Sequence, residues 1–426
     1  MNRASRQIET TYVTLTLLST FASSFIWGIN TLFLLNAGLT VTETFVANAF
    51  FTAGEVIFEI PTGVVADTTG RRTSYLLGAA TLFVSTLAYF WLWYIHGPFW
   101  AWAMVSILLG LGFTFFSGAT EAWLVDGLKA AGYKDDLDRA FAKGSIATGF
   151  AMLTGTLAGG FVAQLTNLGV PYLMRSGALA LTFVLAFLFM HDDGFKPKAK
   201  TNIFNDMRSV FADSIQFGFR KAPVKWVMLS GIFSGGVGIY AFYAMQPYLL
   251  KLYGSSASYG IAGLAAAFVA GAQILGGILV PYAGKLFARR TGFFIFGTVV
   301  SVIALALIGL LSNFYLVLAV FAVWSVIFAA TTPIRQSYVN ELLPSEQRAT
   351  ILSADNMLAS AGGVIAQPTL GKTADIYGYP LSYIGSAAFQ LLALPFIILA
   401  RREKARSDPF GNGKGRASPS SKRSGS

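Results

Sequence analysis

Glu59-Ile-Pro-Thr-Gly63-Val-Val-Ala-Asp67-Thr-Thr-Gly70-Arg71-Arg72 carries an apolar run into a doubly basic turn. Each residue type there has a physical job. Gly63, lacking a Cβ, lets its helix approach another closely, as small residues do inside membranes. Asp67 is placed to cap the next helical turn or to pair with Arg71, and Gly70 is free to take positive φ where the chain reverses. Arg71 and Arg72 hold the turn on the cytoplasmic side, where positive charge is retained.

The chain on either side of this turn belongs in lipid. Of its 426 residues 54% are hydrophobic and 12% charged, with a mean hydropathy of +0.59, whereas a soluble domain carries about 25% charged residues. That length accommodates about twelve spans of roughly 20 residues. Apolar runs are expected as spans at Thr11–Leu35, Phe45–Ala66, Tyr75–Ile95, Phe99–Leu124, Ala140–Leu165 and Tyr172–Met190. Six more are expected at Val224–Leu250, Ile261–Leu286, Phe293–Leu311, Phe314–Tyr338, Ile351–Leu370 and Leu381–Ala400. The first run follows Arg3 and Arg6 but is too long for a signal-peptide core and lacks a convincing cleavage site, so it reads as a retained helix.

The net charge of +11 follows topology and does not point to a nucleic-acid partner. With these spans, all of the 31 Lys and Arg except Arg175, Lys251 and Lys372 fall on one side. Such asymmetry places both termini and the central linker in the cytoplasm of a multi-pass inner-membrane protein. The expected organisation is a six-helix bundle over 1–190, a cytoplasmic linker over 191–222, a second bundle over 223–400 and a disordered basic tail over 401–426. Within the linker, Ile203, Met207, Val210, Phe211, Ile215 and Phe219 recur at roughly helical spacing, as in an amphipathic helix on the inner leaflet. Faint internal similarity supports two halves: Glu121-Ala-Trp-Leu-Val-Asp126 ends the fourth span as Arg335-Gln-Ser-Tyr-Val-Asn340 ends the tenth.

Ionisable residues inside spans are costly and are functional candidates by default. Glu55 and Glu59 lie one helical turn apart on the second span, with Gly63 on the same stripe, and they are the candidates for proton coupling. The absence of cysteine excludes disulfides, thiolate nucleophiles and cysteine-bound metals. Without paired intramembrane histidines or a His-Glu-x-x-His spacing, an intramembrane enzyme is disfavoured and neither metal nor cofactor is expected.

The order Gly63, Asp67, Gly70, Arg71, Arg72 fits Gly-x-x-x-Asp-x-x-Gly-Arg-Arg, the loop between the second and third helices of the major facilitator superfamily, which this chain resembles. The resemblance implies an all-α membrane protein of twelve helices in two six-helix halves, with a substrate site between them near mid-membrane. Glu59-x-Pro-x-x-x-x-x-Asp67-x-x-x-Arg71-Arg72 also looks like a loop variant of some tetracycline exporters. By the same resemblance Asp126 would join Asp67 and Arg71 in a charge cluster that latches the cytoplasmic side. The first, fourth, seventh and tenth helices line the cavity in this superfamily, which nominates Trp27, Asn30, Phe116, Trp123, Tyr240, Tyr243, Gln246 and Trp324. That aromatic set suits a flat amphiphilic compound better than a sugar.

The pattern departs from the exporters in three places. Ser106 stands where many have an arginine before Gly110-Leu-Gly112, and Gly155-Thr156-Leu-Ala-Gly159-Gly160 lacks their proline. In the second half, Gly284-Lys-Leu-Phe-Ala288-Arg289-Arg290 has alanine in place of the loop acid. The expected function is proton-driven export of small amphiphilic compounds by a monomer, its partners being substrate, protons and membrane lipids. Uptake of a nutrient or metabolite and lipid translocation are the alternatives. Glu121 and Arg335, at matching places in the two halves, are expected to meet as a cytoplasmic gate when that side closes.

Overall fold

The computed structural model describes residues 3–133, 137–195, 197, 219–343 and 348–410. Of the linker helix expected over Ile203, Met207, Val210, Phe211, Ile215 and Phe219, all but Phe219 lie outside them, as does the tail beyond 410. Among the described residues, ten helices are long and apolar enough to cross a bilayer, and a bent pair makes an eleventh. The first half runs Arg3–Trp27 continuing as Asn30–Asn36, Val41–Thr69, Arg71–Ile95, Phe99–Phe116 continuing as Ala119–Ala130, Leu137–Leu165 and Val170–Phe189. The second runs Ala222–Tyr253, Tyr259–Leu286, Arg290–Leu310, Phe314–Asn340, Arg348–Tyr377, and Tyr379–Leu391 continuing as Ala393–Arg402. Arg348–Tyr377 is 30 residues long and completes the twelve, although Asp355, Asn356, Gln367, Lys372 and Asp375 make it too polar to be told as a span by composition.

The helices are hydrophobic nearly all round, as lipid demands, and large apolar side chains lie both inside and on the perimeter. Trp91, Tyr94, Ile278 and Leu279 stand exposed on the perimeter. Small residues make the crossings. Gly54 of the second span packs on the backbone of Ile107 and Gly110 in the fourth, Gly159 of the fifth on the Phe25 backbone, and Gly362 of the eleventh on that of Ile232 in the seventh. Gly63, expected to allow such an approach, has nothing within 4 Å of where its Cβ would be, because the crossing lies nine residues earlier at Gly54.

The halves meet through the second span against the eleventh and the fifth against the eighth. Gly160 and Gly263 bring the latter pair into backbone contact. We call the end of the molecule bearing the chain termini the terminal face, and the opposite end the far face. Towards the far face the two cores interlock: Phe45 joins the second-half cluster around Tyr240 and Val237, and Leu250 joins the first-half cluster around Phe33 and Tyr172.

Residues 401–410 also differ from expectation, since Asp408 and Ser407 are buried against the start of the ninth span and are not free tail. The Asp408 side chain caps that span, which holds the segment in place. The glycine crossings predict that Gly159→Val or Gly362→Val forces side chain onto backbone that cannot yield. Each should destabilise by about 1–3 kcal/mol, read as a lowered melting temperature and a smaller folded fraction in detergent gel filtration.

Candidate functional site

Three layers of polar chemistry run along the axis between the halves. At the far face the first span is broken: Gly28 sits against Thr156, Gly263 and Ala266, and the two segments meet at 49°. A break inside a bilayer frees backbone groups that water cannot satisfy. Gln246 of the seventh span satisfies them from the other half. Its Nε2 donates to the Trp27 carbonyl at 2.7 Å, and its Oε1 accepts from the Thr31 N–H at 2.9 Å. Thr31 Oγ1 donates to the Tyr243 carbonyl at 2.9 Å. Nearer the surface, Thr42 Oγ1 donates to Asp375 at 2.6 Å, again joining the halves.

Below this seal lies a pocket lined by Trp27, Asn30, Asn48, Phe113, Arg175 and Tyr243, among others. Asn30 Nδ2 donates to Asn48 Oδ1 at 3.1 Å, and Tyr172 donates to Asn30 Oδ1 at 2.9 Å. Arg175, counted by topology with the far-side charges, instead lies inside the protein at 1% exposure. Deeper still, Thr52 accepts from Gln367 Nε2 at 3.1 Å across the interface.

Towards the terminal face the halves separate around a cleft lined by Glu55, Val56, Glu59 and Ser117 on one side and Ser353, Asn356, Met357 and Ser360 on the other. Glu59 Oε1 accepts from Ser117 Oγ at 3.0 Å, at the break in the fourth span. Both candidate coupling carboxyls therefore face the space between the halves, and neither has a basic partner among the salt bridges of the described residues.

The nominated cavity residues divide. Trp27, Asn30 and Tyr243 line the pocket, and Gln246 belongs to the seal. Phe116 packs on Tyr75 with ring centroids 4.5 Å apart, and Trp123 donates to the His191 carbonyl at 2.6 Å near the terminal face. Tyr240 donates to Ser382 at 2.7 Å and Trp324 stacks on Phe328, both within the second half. Amphipathic aromatics on a lining helix cannot be sorted by sequence into those facing the cavity and those facing a neighbour.

The loop residues form a clamp with an unforeseen member. Gly70 takes φ 116°, Arg71 pairs with Asp67 at 2.6 Å, and Arg72 Nη2 donates to the Phe187 carbonyl at 2.7 Å. Asp192, just past the sixth span, accepts from the Arg72 N–H at 2.9 Å and so caps the third span. Asp126 makes no salt bridge to Arg71 among the described residues, so the three-membered latch is not assembled in this conformation. Nor is the gate. Glu121 is exposed, while Arg335 pairs with Asp355 of the eleventh span and donates to the Val227 carbonyl at 3.1 Å. Gly231 makes room for that guanidinium. An acid within the eleventh span and an arginine within the tenth were visible in sequence as intramembrane charges.

The second half repeats the clamp with substituted parts. Asp408 Oδ1 accepts from the Thr291 N–H at 2.9 Å as Asp192 does from Arg72. The acid missing at Ala288 is supplied by Glu341 at the end of the tenth span, which pairs with Arg290 at 2.6 Å.

The family model described as Major Facilitator Superfamily matches residues 12–288 and 256–424. An uncharacterized MFS-type transporter, YxaM, of Bacillus subtilis (strain 168) is 22% identical over 370 residues, covering 85% of this chain and 88% of the relative. The nucleoside transporter NupG superposes with a TM-score of 0.73 at 13% identity, over 94% of this chain and 100% of that one. A D-xylose–proton symporter does so at 0.71 and 18%, over 92% and 97%. A bacterial homologue of the lysosomal transporter Spinster, inward-facing and occupied, does so at 0.73 and 13%, over 94% and 98%.

The two caps predict matched effects. Asp192→Ala and Asp408→Ala should each destabilise by about 0.5–2 kcal/mol, measured as a fall in melting temperature, whereas Asp126→Ala should cost less than either.

Proposed function

The chain belongs to the major facilitator superfamily, and we propose that within it the protein is a proton-driven exporter of small amphiphilic compounds, working by alternating access between two six-helix halves. The observation that carries the proposal is the position of Glu55 and Glu59. They stand one turn apart on an interfacial helix and face the cleft between the halves without basic partners among the salt bridges of the described residues. A carboxyl so placed takes up a proton from the side to which the cleft opens and must lose or neutralise its charge before the halves close over it.

In this reading the terminal face is cytoplasmic, as the basic residues there favour, and the conformation is closed at the far face and parted towards the cytoplasm. The seal made by Gln246, Thr31 and Tyr243 breaks on opening outward, and the Arg335–Asp355 pair rearranges as the cytoplasmic side shuts. Export is supported by the aromatic lining of the pocket and by the exporter-like loop. Uptake is the second reading, favoured by the likeness to a proton symporter, and the same experiment decides between them.

Inverted membrane vesicles are energised to an acid interior, and the proton gradient is followed while amphiphilic dyes are added. Export by antiport predicts dye accumulation and partial collapse of the gradient; symport uptake predicts no accumulation in this orientation. Glu55→Gln should reduce gradient-driven accumulation by more than about tenfold while leaving substrate exchange at equilibrium measurable. Normal accumulation in both Glu55→Gln and Glu59→Gln would place coupling elsewhere.

A further inference from the structure

Arg175 is the most deeply buried cation among the described residues of the first half, and its surroundings ask for an anion. The guanidinium lies 5.6 Å from the Phe113 ring centroid. Its electrostatic neighbours are the phenols of Tyr172, Tyr243 and Tyr89, and no carboxylate is among them. Two of those hydroxyls are already engaged: Tyr172 donates to Asn30, and Tyr89 shares a hydrogen bond of 2.5 Å with Ser106.

The buried side-chain atoms left without partners on the residues lining the pocket are all donors. Nε and Nη2 of Arg175 are buried without an acceptor, and so is Nδ2 of Asn48, a second lining residue. Buried polar groups are normally paired, and a buried charge without a partner is strongly unfavourable. Three buried donors without acceptors, beside a Tyr243 hydroxyl that cannot offset a full positive charge, call for an acceptor carrying negative charge, admitted as the side chains lining the pocket part around it. The two arginine donors sit side by side on one edge of the planar guanidinium, the fork that takes both oxygens of a carboxylate in parallel. Lysine would offer a point charge and no such geometry.

We infer that this pocket binds the carboxylate of the transported compound. Arg175 Nε and Nη2 each donate to one carboxylate oxygen, Asn48 Nδ2 donates to one of them, and Phe113 and Trp27 pack against the apolar body. The substrate class is therefore a small organic acid with an aromatic or alicyclic body. This deepens the reading of the central cavity as a transport site, and rests on it. It also accounts for Arg175 lying where a hydrophobic residue would pack at no cost: the charge is neutralised only when cargo is present, and the pocket sits directly beneath the Gln246 seal.

The test uses the purified full-length chain in nanodiscs, without transport. Tryptophan fluorescence and melting temperature are followed during titration with benzoate, cyclohexanecarboxylate and indole-3-acetate, each against its neutral amide. At least one acid should quench fluorescence, raise the melting temperature and bind more than about tenfold tighter than its amide. Arg175→Gln should abolish that preference, and Arg175→Lys should weaken acid binding by about tenfold, because the fork is lost while the charge is kept. If Arg175→Gln does not fold, Arg175→Lys decides alone. Equal binding of acids and amides, undiminished acid affinity in Arg175→Lys, or equal affinity for benzenesulfonate and benzoate would each overturn the assignment. A melting temperature that responds to Arg175 substitution but to none of the acids would make the arginine purely structural and overturn it too. A carboxylate that binds but is never moved would leave the pocket assignment standing and refute the transport reading. Gradient-driven export of dyes with no carboxylate binding would do the reverse.

Discussion

A helix broken inside a bilayer must have its free backbone groups satisfied by protein, and here one side chain of the opposite half does it. Gln246 bonds both the Trp27 carbonyl and the Thr31 N–H, on either side of the bend, while Thr31 bonds the Tyr243 carbonyl. The break therefore makes the first half incomplete without the second. Three such bonds contribute about 1 kcal/mol each net of exchange with water, so the seal holds the far face by a few kcal/mol. That is the scale on which a two-state carrier can be biased and still reversed. A continuous first helix would need no such partner and would leave the far face to the Thr42–Asp375 bond and the interlocked cores around Phe45 and Leu250.

The polar pocket and the acidic cleft are linked through the same helix. Tyr243 lines the pocket with Arg175, and its phenol is also within electrostatic range of Glu55. Its backbone carbonyl, meanwhile, accepts from Thr31 in the seal. One residue of the seventh span thus belongs to both the seal and the polar pocket, and stands within electrostatic range of Glu55. In alternating access the seventh span moves with the second half while Arg175 and Glu55 stay with the first. Tyr243 is consequently the group whose displacement reports closure to both sites at once.

Sequence told spans from loops because hydropathy and charge asymmetry are one-dimensional properties, and the Gly70–Arg72 turn could be read because only glycine tolerates its φ. What it could not convey was partnership. Arg175 reads in sequence as a far-side charge because it stands three residues from the expected start of its span at Tyr172, within the usual uncertainty of a span end. Nothing local shows that it turns inward. Gln246 was nominated as a cavity residue, which is right for its helix, but its role depends on a bend 215 residues away. Asp355 is an acid within an apolar span and costly wherever it points, yet sequence places Arg335 opposite Glu121, because matching positions in two halves do not show which acid within a half lies nearer.

The two terminal-face clamps show how a repeat persists after its letters have gone. Position 288 lost the acid, yet Arg290 keeps one, because Glu341 reaches it from the end of the tenth span. The cap on the ninth span survives because Asp408 follows the twelfth helix as Asp192 follows the sixth. What has been retained is the requirement that the turn's arginine and the next helix's free N–H groups be satisfied, and any acid that arrives there can meet it. The source of the acid matters mechanically. In the first half Arg71 is held by Asp67 from its own turn, so its pairing is indifferent to movement of the fourth span. In the second half Arg290 is held by Glu341, so the end of the tenth span cannot move without straining that pair. Since Arg335 lies on the same tenth span and is tied to Asp355, the ninth, tenth and eleventh spans are joined by charge within the second half at the terminal face, and that half can move there as one piece.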